Sequence, residues 1–270
     1  MTAIPRAPSK PLQALIEALG QAWLSGPALP ASDWSDVVAQ EAQAYAVQDG
    51  LADALGWRQP GRPQYWKSGG PGRHAPLTHA LLAPAGLRQD DGSGDPLSFA
   101  DRRLHAPGAE AEIALRLGRD VRAQDLVGLN REEAADFIDA LTVAIEWVDS
   151  RWQEGEAAPA LLRQADCLSH GGLALGEWLP WPDYRLHNWS QQACELQINE
   201  EPPQQGCGRH SLGDPAWGLL DWLRHATRKG QVLPAGSVVT TGAWLARGGL
   251  KRGDRVRAHF DGLGSICLTL

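Results

Sequence analysis

The sequence predicts an α+β fold, with helices in front and a mixed β-sheet behind. Three observations lead there. Apolar residues recur at helical spacing near the N-terminus. From about residue 110 onward they alternate with polar ones at strand spacing. No regular β-α-β-α rhythm, internal repeat or low-complexity tail runs through the chain. With 270 residues, 43% of them hydrophobic, there is material for one large domain or for a core domain with a smaller attachment.

Taken in order, Leu12, Leu15, Ile16, Leu19 and Trp23 mark a first helix, stopped by Gly26, Pro27 and Pro30. A second is expected from Ser35 to Leu55, with Gly56 as its C-cap. Residues 58–76 are rich in Gly, Pro and basic side chains, with a short extended piece around Tyr65, Trp66 and Lys67. The Asp- and Gly-rich stretch Leu87 to Pro96 reads as a mobile loop, and a domain boundary is placed near it. Ile113, Leu115 and Leu117 alternate with Glu112, Ala114 and Arg116, as a strand requires. Arg131 to Leu141 is expected to be a helix, Val143 to Val148 a strand, Leu168 to Trp178 extended and Cys194 to Asn199 a strand. A helix from Leu212 to Lys229, entered through Asp214-Pro215, precedes three closing strands: Ser237 to Thr241, Arg255 to Phe260 and Ser265 to Leu270.

Composition excludes several classes of function. A net charge of −7, with no basic run interleaved with aromatics, argues against a nucleic-acid partner. No stretch reaches the roughly 18 apolar residues of a membrane span, and residues 1–10 lack the apolar centre of a signal peptide, so a cytoplasmic location is expected. Cys167, Cys194, Cys207 and Cys267 share no close spacing and read as reduced thiols in the core. Twelve tryptophans against three phenylalanines and three tyrosines fit either core filling or an aromatic-lined cavity or interface. No Gly-x-Ser-x-Gly elbow occurs, and the Gly69-Gly70-Pro71-Gly72 run lacks the Gly-Lys-Ser/Thr of a phosphate loop.

Chemistry is concentrated in four residues. Glu110 and Glu112 stand two apart on a strand and therefore share a face. Two carboxylates so placed repel unless a cation or protons intervene. Glu146 lies inside the apolar strand Val143-Ala144-Ile145-Glu146-Trp147-Val148, where a lone carboxylate is costly without a partner. Three carboxylates suit a hard ion, Mg²⁺ or Mn²⁺. Lys67, after two aromatics and before a glycine turn, is placed to meet an anionic substrate.

These pieces, in order, resemble the 2-oxopent-4-enoate hydratase and 4-oxalocrotonate decarboxylase family of the fumarylacetoacetase superfamily. The matching segments are Ala44-Tyr45-Ala46-Val47-Gln48, Trp66-Lys67, Glu110-Ala111-Glu112-Ile113-Ala114, Glu146 to Arg151, Asp166-Cys167-Leu168-Ser169 and Gly172 to Gly176. The Asp214 to Gly230 segment, Thr241-Gly242 and Phe260 to Gly264 complete the series. The resemblance implies a mixed β-sheet roll at 91–270, carrying the catalysis, behind an N-terminal helical part at 1–90. It implies a homo-oligomer, Mg²⁺ or Mn²⁺ at Glu110, Glu112 and Glu146, and Lys67 and Ser169 beside a small 2-oxo acid. The reaction implied is hydration of a 2-hydroxy-dienoate from aromatic-ring breakdown.

The chain departs from the family pattern in three places. Ser68-Gly69-Gly70-Pro71 replaces the usual residues after the lysine, Leu77 to Pro84 lacks the acid often found there, and His170 stands where a second serine is common. His79 or His170 is a candidate replacement for the missing proton-handling group. Alternatives are a decarboxylase on the same triad, an acylpyruvate hydrolase, disfavoured because no His-x-x-Glu occurs, and a non-catalytic paralogue that retains the metal site.

Overall fold

The computed structural model describes residues 8–270; residues 1–7, part of the segment read above for a leader, lie outside the described residues. Helix α1 (Lys10–Leu24) turns Leu12, Leu15, Ile16 and Leu19 inward. It packs against α2 (Glu41–Ala54), which buries Ala44, Val47 and Leu51. The approach is close: a Cβ at Gly50 would stand 2.4 Å from Ile16 Cδ1. The second helix begins six residues later than the sequence predicted. The chain first turns through Ala31–Asp33, and Gln43 Oε1 accepts the N–H groups of Ala39 and Gln40 at 2.8 and 3.0 Å, which fixes the start.

The larger sheet has nine strands. β1 (Tyr65–Gly69), β2 (Thr78–Leu81), β3 (Leu87–Gln89), β5 (Gly108–Leu117), β6 (Ile138–Val148), β7 (His170–Leu175) and β11 (Val238–Thr240) follow the order β2-β1-β11-β5-β6-β7-β3. β8 (Leu179–Pro180) is added on β6 and β12 (Leu245–Arg247) on β5. A five-stranded sheet, β10-β9-β13-β14-β4, is made of β4 (Leu97–Ser98), β9 (Ala193–Ile198), β10 (Gln204–Cys207), β13 (Arg255–Phe260) and β14 (Gly264–Thr269). The α+β architecture with mixed sheets and leading helices is therefore as the sequence predicted. Strands from both sides of residue 90 hydrogen-bond within the larger sheet.

Two apolar clusters divide the larger sheet's faces. Ala109, Ala111, Ile113 and Leu115 of β5, with Val143, Ile145 and Trp147 of β6, belong to the main core. The intervening residues point the other way, where Leu82, Ala114, Ala144, Leu173, Leu175 and Val238 form a smaller cluster. Eight of the twelve tryptophans are core residues. Cys167 and Cys194 are buried as expected, whereas Cys207 is exposed and Cys267 half-buried.

Three further boundaries are corrected. The helix expected at 131–141 stops early: α3 (Arg131–Ala134) gives way to a turn at Ala135–Phe137. From Ile138 the chain is strand, with Asp139 tied across to Arg116 at 2.9 and 3.0 Å. The loop expected from Leu87 begins only after Gln89, because Leu87–Gln89 pairs in parallel with Leu173–Leu175. The helix expected at 212–229 is α5 (Leu219–Ala226) alone. Asp214 Oδ1 accepts the Ala216 N–H at 2.7 Å and so closes a turn rather than capping a helix. α4 (Ala160–Ala165) packs on α2, with Gln48 Nε2 donating to Gln164 O at 2.6 Å. Among the described residues, no helix is long and apolar enough to cross a membrane.

Candidate metal centre

Strand register assembles the acidic cluster. In the β5–β6 pair Glu110 lies opposite Glu146, and Glu112 opposite Ala144. All three glutamates share one face, and each offers an oxygen within 4.8 Å of the others'. Lys67 comes from β1, one strand beyond β11, where it lies opposite Thr240. Its Nζ donates to Glu146 Oε1 at 2.9 Å and to Leu168 O at 3.3 Å, and lies 3.9 Å from Glu110 Oε2. The Gly242 N–H donates to Glu112 Oε2 at 2.9 Å.

His170 also joins the cluster, its Nδ1 3.1 Å from Glu146 Oε1. Burial lowers the pKa of this imidazole against the pull of Glu146. The ring is therefore neutral and donates from Nδ1. His79 is not brought here. It pairs with Ser68, on the face of β1 opposite Lys67. There its Nδ1 lies 3.0 Å from Ser68 Oγ and its ring 4.7 Å from that of His225.

Burial opposes charge throughout the cluster, and the neighbours decide which groups yield. Glu112 is pushed up to about 8, by burial first and then by Glu146 and Glu110. Burial also raises Glu110. Burial would raise Glu146 too, but Lys67 and His170 together hold it below the ordinary range. Burial would neutralise Lys67, but Glu146, Glu110 and Glu112 outweigh it and keep the ammonium charged. Once all three carboxylates are ionised, they and the ammonium leave two negative charges, the amount a divalent cation neutralises. Glu146 Oε2 is buried with no hydrogen-bond partner among the described residues. An all-carboxylate donor set with a free buried oxygen fits a hard divalent ion.

Two cavities meet at the cluster. The inner one, of about 160 Å³, is lined by Lys67, Glu110, Glu112, Thr78, Thr240 and Gly242. The outer one, of about 450 Å³, shares Glu110 and Leu168 with it and adds Ser169, Glu156 and Arg163. Ser169 ends a turn in which Cys167, Leu168 and Ser169 have φ of 49°, 55° and 59°, a conformation that side chains disfavour. Its surroundings hold it there. The Asp149 N–H donates to Ser169 O at 2.6 Å, and Ser169 N–H to Asp166 O at 3.0 Å. Asp166 is in turn clamped by buried Arg151 at 2.6 Å. The turn aims the Leu168 carbonyl at Lys67.

Sequence reasoning did not find the Leu168 carbonyl, the Gly242 N–H, Glu156 or Arg163. Thr241-Gly242 after a strand is a turn signal that could have pointed to the second. The others come from parts of the chain that only the fold brings near.

The chain matches the fumarylacetoacetate (FAA) hydrolase C-terminal family over residues 66–270. It is 34% identical over 244 residues to 2-keto-4-pentenoate hydratase 1 of Dechloromonas aromatica (strain RCB), covering 85% of each chain. Among solved structures it is similar to 4-oxalocrotonate decarboxylase from Pseudomonas putida G7 complexed with magnesium and adipate, with a TM-score of 0.78, 20% identity and 96% of each chain covered. It is also similar to fumarylpyruvate hydrolase from Pseudomonas aeruginosa in complex with Mn²⁺ and pyruvate, with a TM-score of 0.55, 16% identity, and 76% of this chain and 88% of that one covered. On the family match and the 34% identity over most of the chain, this chain belongs to the fumarylacetoacetate hydrolase family.

Proposed function

We propose that the chain is a divalent-metal-dependent hydratase, a carbon–oxygen lyase acting on a short 2-hydroxy-dienoate in aromatic catabolism. The preferred substrate is 2-hydroxypenta-2,4-dienoate and the product 4-hydroxy-2-oxopentanoate. The observation that carries this reading is the cluster of Glu110, Glu112 and Glu146 with Lys67 bonded to it in a cavity sized for a small acid. The hydratase relative, matched over most of both chains, supports the same reading.

Glu110, Glu112 and Glu146 would hold Mg²⁺ or Mn²⁺, since oxygen-only donors favour such ions. When bound, the ion supplies Lewis acidity toward the carboxylate and 2-oxygen of a 2-oxo acid. Lys67, kept as an ammonium, acts as a donor to that 2-oxygen and offsets the substrate's charge. His170 positions Glu146 through Nδ1. Overall, the 2-hydroxyl proton is lost, C5 gains a proton, and water then delivers its hydroxyl to C4 and its proton to C3. The Ser169 hydroxyl, at the outer cavity, would orient that water. His79, behind β1, is given no part in moving protons.

Arg163 favours a second reading. This residue lines the outer cavity, and a distal carboxylate there would suit a 4-oxalocrotonate-type decarboxylase using the same triad. We also propose a cytoplasmic homo-oligomer, in line with the family resemblance and with four unpaired cysteines.

The test is a calorimetric titration of oxalate, a planar enolate mimic, into metal-free protein with and without Mg²⁺. It is paired with the loss of dienoate absorbance, for the five-carbon acid and for its dicarboxylate analogue. Binding that needs Mg²⁺ and is lost in Glu110→Ala/Glu112→Ala/Glu146→Ala, with faster turnover of the monocarboxylate, is expected. Faster turnover of the dicarboxylate with release of CO₂ would favour the decarboxylase. Binding without any turnover would leave the non-catalytic paralogue.

A further inference from the structure

Another cavity of about 450 Å³, sharing only Asp149 with the outer one, lies where α1 and the end of α2 meet the larger sheet. That is within the range of about 300–1,000 Å³ usual for small-molecule sites. Three indoles, Trp23, Trp57 and Trp147, line it, Trp23 and Trp57 meeting edge to face with centroids 5.0 Å apart. Arg102, Arg103, Arg151 and two acids, Asp101 and Asp149, also line it.

The acids are already committed. Asp149 accepts the N–H groups of His105 and Ala106 at 2.9 and 2.8 Å, and both Asp101 oxygens accept from Arg88 at 2.8 and 2.9 Å. Arg151 is spent on Asp166 and the His170 carbonyl, and Arg103 donates to Ser25 O. Arg102 is different: half-buried beside Asp101, its guanidinium makes no hydrogen bond or ion pair among the described residues. The Trp23 Nε1–H is buried and likewise lacks an acceptor among them. Both residues line the cavity, so a guanidinium free of acceptors among the described residues stands at an indole wall, where it can pair with an anion.

We propose that this cavity is a second binding site, distinct from the metal centre, for a planar aromatic or conjugated monocarboxylate. The carboxylate pairs with Arg102, and the flat body lies among the indoles. The site is wired to the metal centre. Arg151, stacked 3.8 Å from the centre of the Trp23 ring, donates to His170 O, and His170 bonds Glu146. A ligand that shifts Trp23 therefore acts on the residues that hold Glu146.

The probe is benzoate, titrated by calorimetry and tryptophan fluorescence into the full chain in the presence of a chelator, so that metal-dependent binding makes no contribution. One benzoate per chain is expected, with quenched fluorescence. Arg102→Gln and the cavity-filling Ala85→Phe should each weaken it at least tenfold, and Glu112→Gln should leave it unchanged. The proposal is overturned by absence of saturable binding, by binding that survives both cavity variants, by loss in Glu112→Gln alone, or by equal affinity for inorganic phosphate.

Discussion

At neutral pH the Glu112 carboxyl, its pKa pushed up to about 8, keeps its proton in the metal-free protein. A metal ligand must be ionised, so Mg²⁺ binding at pH 7 should release about one proton. Calorimetry in buffers of different ionisation enthalpy would read this as a buffer-dependent heat; equal heats in every buffer would contradict it. The sign for stability follows from the same proton. Between the ordinary value of 4.5 and about 8 the folded chain retains a proton that the unfolded chain has lost. The metal-free protein therefore loses stability as pH rises through that window, and Mg²⁺ cancels the loss. The cluster itself was legible in the sequence, because a Glu-x-Glu on a strand and a lone glutamate among Val, Ile and Trp are hard to explain otherwise. Its backbone partners were not. A left-handed run of Cys167, Leu168 and Ser169 has no side-chain signature, so the carbonyl it aims at Lys67 becomes visible only with coordinates.

Elements set the positions of those groups, and here small residues matter as much as charged ones. β7 approaches β6 so closely that a Cβ at Gly172 would stand 2.1 Å from Trp147 Nε1, and one at Gly171 2.4 Å from the same ring. Both glycines directly follow His170 on β7. Gly172→Ala should destabilise the protein by about 1–3 kcal/mol through overpacking, measured as a lowered denaturation midpoint with an unchanged slope. An unshifted midpoint would mean that Trp147 has room to move. Strand alternation made β5, β9 and β13 readable. The segment 131–141 was misread because Ala134, Phe137 and Leu141 keep helical spacing while Ile138, Ala140 and Thr142 keep strand spacing. Pairing with β5, including the Asp139–Arg116 bond, settles the contest and cannot be seen locally. The segment 212–229 failed for a similar reason: Leu212, Leu219 and Leu223 are in helical phase, but the turn at Asp214 delays the helix to Leu219.

Across the whole molecule, buried imidazoles set the acid limit. Burial lowers His79 and His210 to about 4, and burial with Arg228 and His79 lowers His225 to about 2, all from 6.5. Below pH 6.5 the unfolded chain takes up protons at these sites and the folded chain does not, so stability falls with pH until the folded values are reached. His225→Gln should flatten the decline of the melting temperature between pH 6.5 and 4; an identical slope would place the acid sensitivity elsewhere. The helical front and the sheet behind it were legible from periodicity. The order of strands was not, because it depends on which distant segments pair. One of those pairings governs when Lys67 reaches the glutamates. β1 joins β11 with Tyr65 opposite Val238, so docking the strand bearing Lys67 closes a loop of well over half the chain. Closing so long a loop is slow and comes late in folding. The three carboxylates need only the β5–β6 pair, so Lys67 is added to a cluster already formed. Lys67→Met should therefore leave the folding rate unchanged and alter only unfolding, a division that stopped-flow kinetics would resolve.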